Sequence, residues 1–142
     1  MLAPPVEATV LLVRHADVAG GADDPALTDA GATRAQELGH VLGDAGVDAI
    51  FVTSWRRSRQ TAAPIALELS VDPTELDDPD DVTAALRTRP PSSVALVVGH
   101  TNTVPEIIAG LGGPADVTID HDEFDRLFVL SGTRLTRLRY GA

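Results

Sequence analysis

Three short strand-like runs, composed mostly of apolar residues and separated by helix-like segments, most constrain how this 142-residue chain can fold. The runs cover residues 9–13 (TVLLV), 48–52 (DAIFV) and 94–98 (VALVV). Apolar and β-branched runs of this length are typical of strands that are buried on both faces in a parallel sheet. We therefore predict an α/β fold, a three-layer sandwich with a mostly parallel sheet and helices on both faces.

The segments between these runs have the spacing of helices. A first helix is expected to run from an N-cap at Thr28 to about Leu42, and a second one to cover about 57–69. Because Pro64 lies inside the second segment, that helix should kink there or begin late.

The second half of the chain is predicted to contain two further helices and a hairpin. Residues 70–81 are expected to form a loop around at most a short extended piece, followed by a short helix over about 80–88. Thr103 is expected to cap a helix over about 104–111. Two short strands, 125–130 and 135–140, predict an antiparallel edge hairpin near the C-terminus.

Length and composition exclude several classes of protein. The chain is expected to be a single domain, residues 1–142, with no internal boundary. It has no cysteine, which excludes disulfides and thiolate chemistry, and its net charge of −10 makes nucleic acid an unexpected partner. No apolar run approaches the ~20 residues that span a bilayer, so we expect no membrane partner. The N-terminal segment does not resemble a signal peptide, so we expect a cytoplasmic location.

Histidines and arginines follow the predicted strands at the points where the strands end. Arg14 and His15 come directly after the first run, and His100 comes two residues after the third. Arg57 lies a few residues past the second. Because ligands bind at the carboxyl ends of strands in such sheets, we expect these side chains to converge at one edge.

This set of side chains suits phosphoryl transfer. A neutral imidazole can attack phosphorus and form a phosphohistidine. The guanidinium groups of Arg14 and Arg57 can hold the phosphate oxygens without a metal ion, and His100 would be held protonated by the incoming phosphate. A nearby carboxylic acid would protonate the leaving group and then activate water. The residues therefore predict a site with no metal and no cofactor.

Four motifs in order resemble the histidine phosphatase superfamily, also called the phosphoglycerate mutase-like family. The family's strand followed by Arg-His-Gly matches residues 12–16, and its Leu-Thr-x-x-Gly helix start matches 27–31. Its Ser-x-x-x-Arg-Ala-x-Gln-Thr-Ala segment matches 53–62, and its Val-x-Gly-His matches 97–100. The order and spacing agree over roughly residues 9–110, and the short chain resembles the phosphohistidine phosphatase branch.

The resemblance implies a metal-independent phosphoric monoester hydrolase of the histidine acid phosphatase type, acting on a phosphomonoester or a phosphoramidate. Its substrate would be a phosphorylated small molecule or a phosphoprotein. By the same resemblance the nucleophile is His15, and the rest of the phosphate pocket consists of Arg14, Arg57 and His100, with help from Thr101 and Asn102.

The sequence departs from the family pattern in three places. Ala16 replaces the usual glycine after the histidine, which is a small change. The segment between the second helix and the late strand is short, which implies an open site without a covering insertion. The family's acid is usually a Glu; here the candidates are Glu75, Asp77 and Asp78, of which Asp78 fits the spacing after Leu76 best and Glu75 is the alternative.

The sequence is also consistent with two other functions, and it leaves the role of one residue open. A phosphoglycerate mutase-type phosphotransferase would use the same residues but must shield its phosphoenzyme from water. A non-catalytic phosphate- or phosphoprotein-binding module would keep the arginines without a usable acid. Trp55, beside the arginines, is either a packing residue or a surface on which substrate stacks.

Overall fold

The structure, a computed structural model, describes residues 6–141. Its strands and helices alternate along most of the chain. The strands are β1 (Val6–Arg14), β2 (Ala49–Val52), β3 (Thr74–Glu75), β4 (Val94–Gly99), β5 (Arg126–Gly132) and β6 (Arg134–Arg139). The helices are α1 (Asp29–Leu42), α2 (Arg56–Leu69), α3 (Pro79–Arg87) and α4 (Thr103–Gly110).

The six strands form one sheet in the order β3-β2-β4-β1-β5-β6. The first four strands in this order are parallel to one another. β5 pairs antiparallel with β1, and β6 pairs antiparallel with β5 at the sheet edge. This arrangement confirms the predicted α/β class, with its mostly parallel sheet and its antiparallel hairpin near the C-terminus.

Two apolar clusters cover opposite faces of the sheet. One contains Val10 and Leu12 of β1 with side chains from α3 and α4, such as Leu86 and Ile107. The other contains Leu11 and Val13 of β1 with side chains from α1 and α2, such as Leu38 and Ile65. Because side chains alternate along a strand, β1 supplies both clusters, and the three layers follow.

Of three details predicted for the ends of the helices, the structure confirms one and contradicts two. The side chain of Thr28 accepts the N–H of Gly31, as expected of an N-cap. Helix α2 begins at Arg56 and continues through Pro64, so the predicted late start is wrong. The expected N-cap at Thr103 is also wrong, because Thr103 is the first helical residue and its hydroxyl accepts the N–H of His100.

The order of the strands brings the carboxyl ends of three of them to the same end of the sheet. β4 lies between β1 and β2 and is parallel to both, so the carboxyl ends of all three point the same way. Arg14 is paired with Gly99, and Val52 is paired with Val98, so these strands end level with one another. Within residues 6–141, no helix combines the length and the apolar composition that crossing a bilayer requires.

Candidate active site

A cavity of about 570 Å³ opens at the carboxyl ends of β1, β2 and β4. Each of these strands delivers polar side chains to it, and the loops 18–25 and 121–124 complete its walls. The lining residues are Arg14, His15, Val18, Ala19, Gly20, Ala22, Asp23, Pro25, Thr53, Trp55, Arg57, Asp77, His100, Thr101, Asn102, Thr103, His121 and Phe124.

His15 is held in one orientation and one tautomer. Its backbone N–H donates to the carbonyl of Gly99 at 2.9 Å, which extends the parallel pairing one residue beyond β1. Its ring Nδ1 lies 2.8 Å from the carbonyl oxygen of Ala16. Because a carbonyl can only accept, Nδ1 carries the proton. The lone pair of the neutral ring is therefore on Nε2.

The segment after His15 is fastened to α2. The N–H of Ala16 donates to the hydroxyl of Thr61 at 2.8 Å, and this hydroxyl donates to the carbonyl of Arg57 at 2.7 Å. Thr61 is completely buried. This connection explains why a threonine four residues after the arginine belongs to the motif: it ties the histidine loop to the helix that carries Arg57.

Arg14 is anchored on one side by the loop that precedes β5. Its Nη1 donates to the carbonyls of His121 and Glu123 at 2.7 and 2.8 Å, and its guanidinium lies 3.9 Å from the centre of the Phe124 ring. Its Nε is buried and has no hydrogen-bond partner. A buried donor without a partner is costly, and an anion in the adjoining cavity would satisfy it.

His100 faces His15 across the cavity. The ring centroids are 5.3 Å apart, and the ring planes are tilted by 58°. Nε2 of His100 lies 2.9 Å from the hydroxyl of Thr53, which follows β2. The two histidines, distant in sequence, thus meet as the strand-end argument predicts.

Burial keeps both imidazoles neutral. The pKa of His15 is lowered to about 4, mainly by desolvation; the hydrogen bond to Ala16 opposes this lowering, and the charges of Arg14, His100 and Arg57 add to it. Desolvation also lowers the pKa of His100 to about 4, with Arg57 and Arg14 acting in the same direction and Asp77 opposing them. At neutral pH the site therefore holds two neutral imidazoles between two guanidinium groups.

Arg57 reaches the cavity from the first turn of α2. Its guanidinium carbon lies 4.7 Å from the centre of the Trp55 ring, and both side chains line the cavity. The helix start is held by Ser58, which is fully buried and donates to the carbonyl of Val98 at 2.8 Å. The same hydroxyl accepts the N–H of Thr53 at 2.9 Å. One serine therefore fixes α2 against the ends of both β2 and β4.

Of the three carboxylates that the sequence offers as the acid, Asp77 is the one that lines the cavity. Its Oδ1 accepts the N–H of Ser54 at 2.7 Å. Asp78, which the family spacing favours, instead caps α3 by accepting the N–H of Asp80 at 2.9 Å. Glu75 lies exposed in β3 and, like Asp78, is outside the cavity lining. Asp77 and Asp78 differ in this way because the chain turns into α3 at Asp78.

The wall made by residues 121–124 was not predicted from the sequence. Neither His121 nor Phe124 belongs to a recognisable motif, and their contribution to Arg14 is through backbone carbonyls and an aromatic face. Thr101 and Asn102, which the resemblance implies for phosphate binding, do line the cavity at the turn before α4. Over residues 6–141 no group of three histidine and carboxylate side chains is placed to hold a metal ion.

Comparisons with known proteins agree with this architecture. The model of the histidine phosphatase superfamily (branch 1) matches residues 10–82, just over half of the chain. No curated protein is similar enough in sequence to count as a relative.

Several solved structures share the fold at low sequence identity. A protein assigned as the phosphohistidine phosphatase SixA from Nakamurella multipartitia is 22% identical, with a TM-score of 0.72 over 95% of this chain and 97% of that one. The protein histidine phosphatase SixA complexed with tungstate is 19% identical, with a TM-score of 0.72 over 94% and 96%. A mycobacterial glucosyl-3-phosphoglycerate phosphatase with inorganic phosphate is 17% identical, with a TM-score of 0.67 over 95% and 97%.

Proposed function

Because the chain belongs to the histidine phosphatase superfamily, we propose that it is a metal-independent phosphatase acting through a phosphohistidine on His15. Its substrate is a phosphomonoester or a phosphoramidate, carried by a small molecule or by a protein. The observation that carries this proposal is the pairing of His15 and His100 at 5.3 Å between two arginines. The names of the solved structures, which include phosphohistidine phosphatases, support the same reaction class.

The first step transfers the phosphoryl group to the enzyme. Nε2 of His15 attacks phosphorus, and the bond to the leaving oxygen or nitrogen breaks as the new P–N bond forms. The hydrogen bond from Nδ1 to Ala16 holds the ring for this attack and stabilises the charge that develops on it. Because the pKa of His15 is about 4, its attacking nitrogen is unprotonated at neutral pH.

Fixed positive charge stabilises the transferring group. The partnerless Nε of Arg14 and the guanidinium of Arg57 donate to the phosphoryl oxygens. Burial, with the charges of Arg57 and Arg14 acting in the same direction, holds His100 neutral in the unliganded site. The negative charge of an incoming phosphate favours the protonated form of His100 instead. These groups do the work that a metal ion performs in other phosphatases.

Proton transfer is assigned to Asp77. In its protonated form it donates to the leaving group, and as the carboxylate it then takes a proton from the water that attacks the phosphohistidine. This second attack releases inorganic phosphate and restores His15. Asp77 is chosen over Asp78 and Glu75 because it alone of the three lines the cavity.

A mutase is less well supported by the same structure. Residues 70–93 contain only β3 and α3, and α3 packs its apolar face against the sheet through Val82 and Leu86. No insertion from this segment covers the cavity, so water reaches the phosphoenzyme.

The test combines turnover with trapping of the intermediate. Wild-type protein is expected to hydrolyse 4-nitrophenyl phosphate in the presence of EDTA and, after rapid denaturation with ³²P-labelled substrate, to carry acid-labile phosphate. His15→Ala should abolish both, and the matched control His40→Ala, an exposed histidine on α1, should retain both. Full activity in His15→Ala would refute the proposal, and binding of phosphate without any phosphoenzyme would identify a binding module.

A further inference from the structure

Trp55 is exposed where the local structure gives no reason for a tryptophan. It is 41% exposed, and of the four large hydrophobic side chains exposed within residues 6–141 it is the one that lines the cavity. It occupies the N-cap position of α2, where a small polar side chain usually accepts a backbone N–H. Its side chain makes no such bond. A residue that breaks the local capping preference beside a proposed active site indicates a functional role.

The ring lies next to the proposed phosphate site. The guanidinium carbon of Arg57 is 4.7 Å from the centre of the Trp55 ring, and Arg57 influences both His15 and His100 electrostatically. A group bonded to a phosphoryl held by Arg57 therefore comes within reach of the indole. Aromatic surfaces beside charged sites bind planar groups by stacking and exclude water from one side of them.

The charged side chains of the outer cavity also discriminate between leaving groups, in this case by their charge. Apart from the two arginines and the facing pair of histidines, the ionisable groups that line it are the carboxylates Asp23 and Asp77 and the exposed His121. A leaving group with its own negative charge would approach these carboxylates unfavourably, whereas a neutral or cationic one would not.

We propose that Trp55 forms a leaving-group subsite that selects a planar aromatic or heteroaromatic group bearing no negative charge. This inference rests on the proposed function, since it assigns the part of the substrate that departs from phosphorus. Substrates with such a leaving group include aryl phosphates and phosphorylated heteroaromatic rings.

Phosphonates test this inference without requiring turnover. Phenylphosphonate and ethylphosphonate share the phosphonate group, but only the first carries a planar ring on phosphorus; the binding of each is measured by calorimetry. Wild-type protein is expected to bind phenylphosphonate about tenfold more tightly. Since Trp55 is the only tryptophan in the chain, phenylphosphonate should also change the intrinsic fluorescence more than ethylphosphonate does. Equal affinities in the wild type would overturn the proposal, whatever any variant does.

Variants of Trp55 distinguish stacking of the ligand on the indole ring from a role of Trp55 in holding the Arg57 side chain in place. Trp55→Leu should lose most of the preference for phenylphosphonate but bind inorganic phosphate within about twofold of wild type, while Trp55→Phe keeps most of the preference. Leu67→Ala, which removes an exposed side chain on the same helix outside the cavity, should behave as wild type. If Trp55→Leu weakens phosphate and both phosphonates equally, Trp55 merely holds Arg57 and the subsite is refuted. Because none of these measurements needs hydrolysis, failure of the subsite is distinguishable from failure of the proposed phosphatase reaction.

Discussion

The hydroxyl of Thr53 lies 2.9 Å from Nε2 of His100 and joins the ends of two neighbouring strands, β2 and β4. Thr53 is buried, and its own backbone is fixed by Ser58. This contact sets the orientation of the His100 ring toward His15. Thr53 is therefore a positioning residue in the proposed mechanism, since it acts on the phosphoryl group through His100.

Thr53→Val keeps the β-branched shape but removes the hydroxyl. We expect kcat/KM for 4-nitrophenyl phosphate to fall about tenfold, because a hydrogen bond contributes ~1 kcal/mol and the ring of His100 loses its fixed orientation. Thr53→Ser retains the hydroxyl and should recover most of the activity. An unchanged kcat/KM in Thr53→Val, with the fold intact by circular dichroism, would show that the contact does not position His100.

The one-residue choice between Asp77 and Asp78 gives a second prediction. Asp77→Asn should lower kcat about 10²-fold for an alkyl phosphate, whose leaving group needs a proton, and much less for 4-nitrophenyl phosphate. Asp78→Asn should keep kcat for both substrates, because an asparagine caps α3 as well as an aspartate does. The ratio of the two substrates in each variant is the measurement. A loss confined to Asp78→Asn would return the acid to the position that the family spacing favours.

The low pKa of His15 makes a prediction about stability. In the unfolded chain this histidine titrates near pH 6.5, whereas in the folded protein its pKa is about 4. Between these values the unfolded state binds the proton and the native state does not, so stability falls as pH drops from 6.5 toward 4. His15 should account for about 2 kcal/mol of the loss between pH 7 and 5.

Urea unfolding of the wild type and His15→Asn isolates this effect from the many carboxylates. The difference in unfolding free energy between the two proteins should be constant from pH 7 to 8 and should shift by about 2 kcal/mol, against the wild type, on going to pH 5. A difference that is independent of pH from 5 to 8 would mean that His15 is not held neutral by burial.

Gly31 provides a prediction about packing near the site. A Cβ atom at this first-turn position of α1 would overlap the backbone carbonyl oxygen of Asp17, in the loop after His15. Gly31→Ala should therefore cost about 1–3 kcal/mol in urea unfolding. Gly39→Ala in the same helix is the control: its Cβ would meet Glu68 at 3.5 Å, an ordinary contact, and alanine should stabilise the helix by ~0.5–1 kcal/mol. Equal effects of the two substitutions would contradict this account.

Much of the fold and the centre of the site follow from sequence because they depend on short-range patterns. Buried runs mark β1, β2 and β4, and in a parallel sheet the residues after these runs must meet. That reasoning predicts from the sequence alone that Arg14, His15 and His100 lie close together. The carboxylate proposed as the acid could not be chosen in the same way, since Asp77 and Asp78 are adjacent and only the turn into α3 separates their directions. The four family motifs do not include Phe124 either. This loop contacts Arg14 through an aromatic ring and backbone carbonyls, and such contacts require no recognisable pattern of residues in the sequence.

Asp23 provides a test of charge selection at the cavity rim. In wild-type protein, kcat/KM should be lower for 4-carboxyphenyl phosphate than for phenyl phosphate, because the extra carboxylate approaches Asp23 and Asp77. Asp23→Asn should raise the ratio of carboxyphenyl to phenyl turnover about threefold at low ionic strength, and 0.5 M salt should reduce this gain, since exposed charges are screened. Glu37→Gln, which changes the net charge equally from an exposed site on α1, should leave the ratio unchanged. An equal gain in both variants would mean that overall charge, rather than the Asp23 carboxylate at the rim, governs which phosphates the protein accepts.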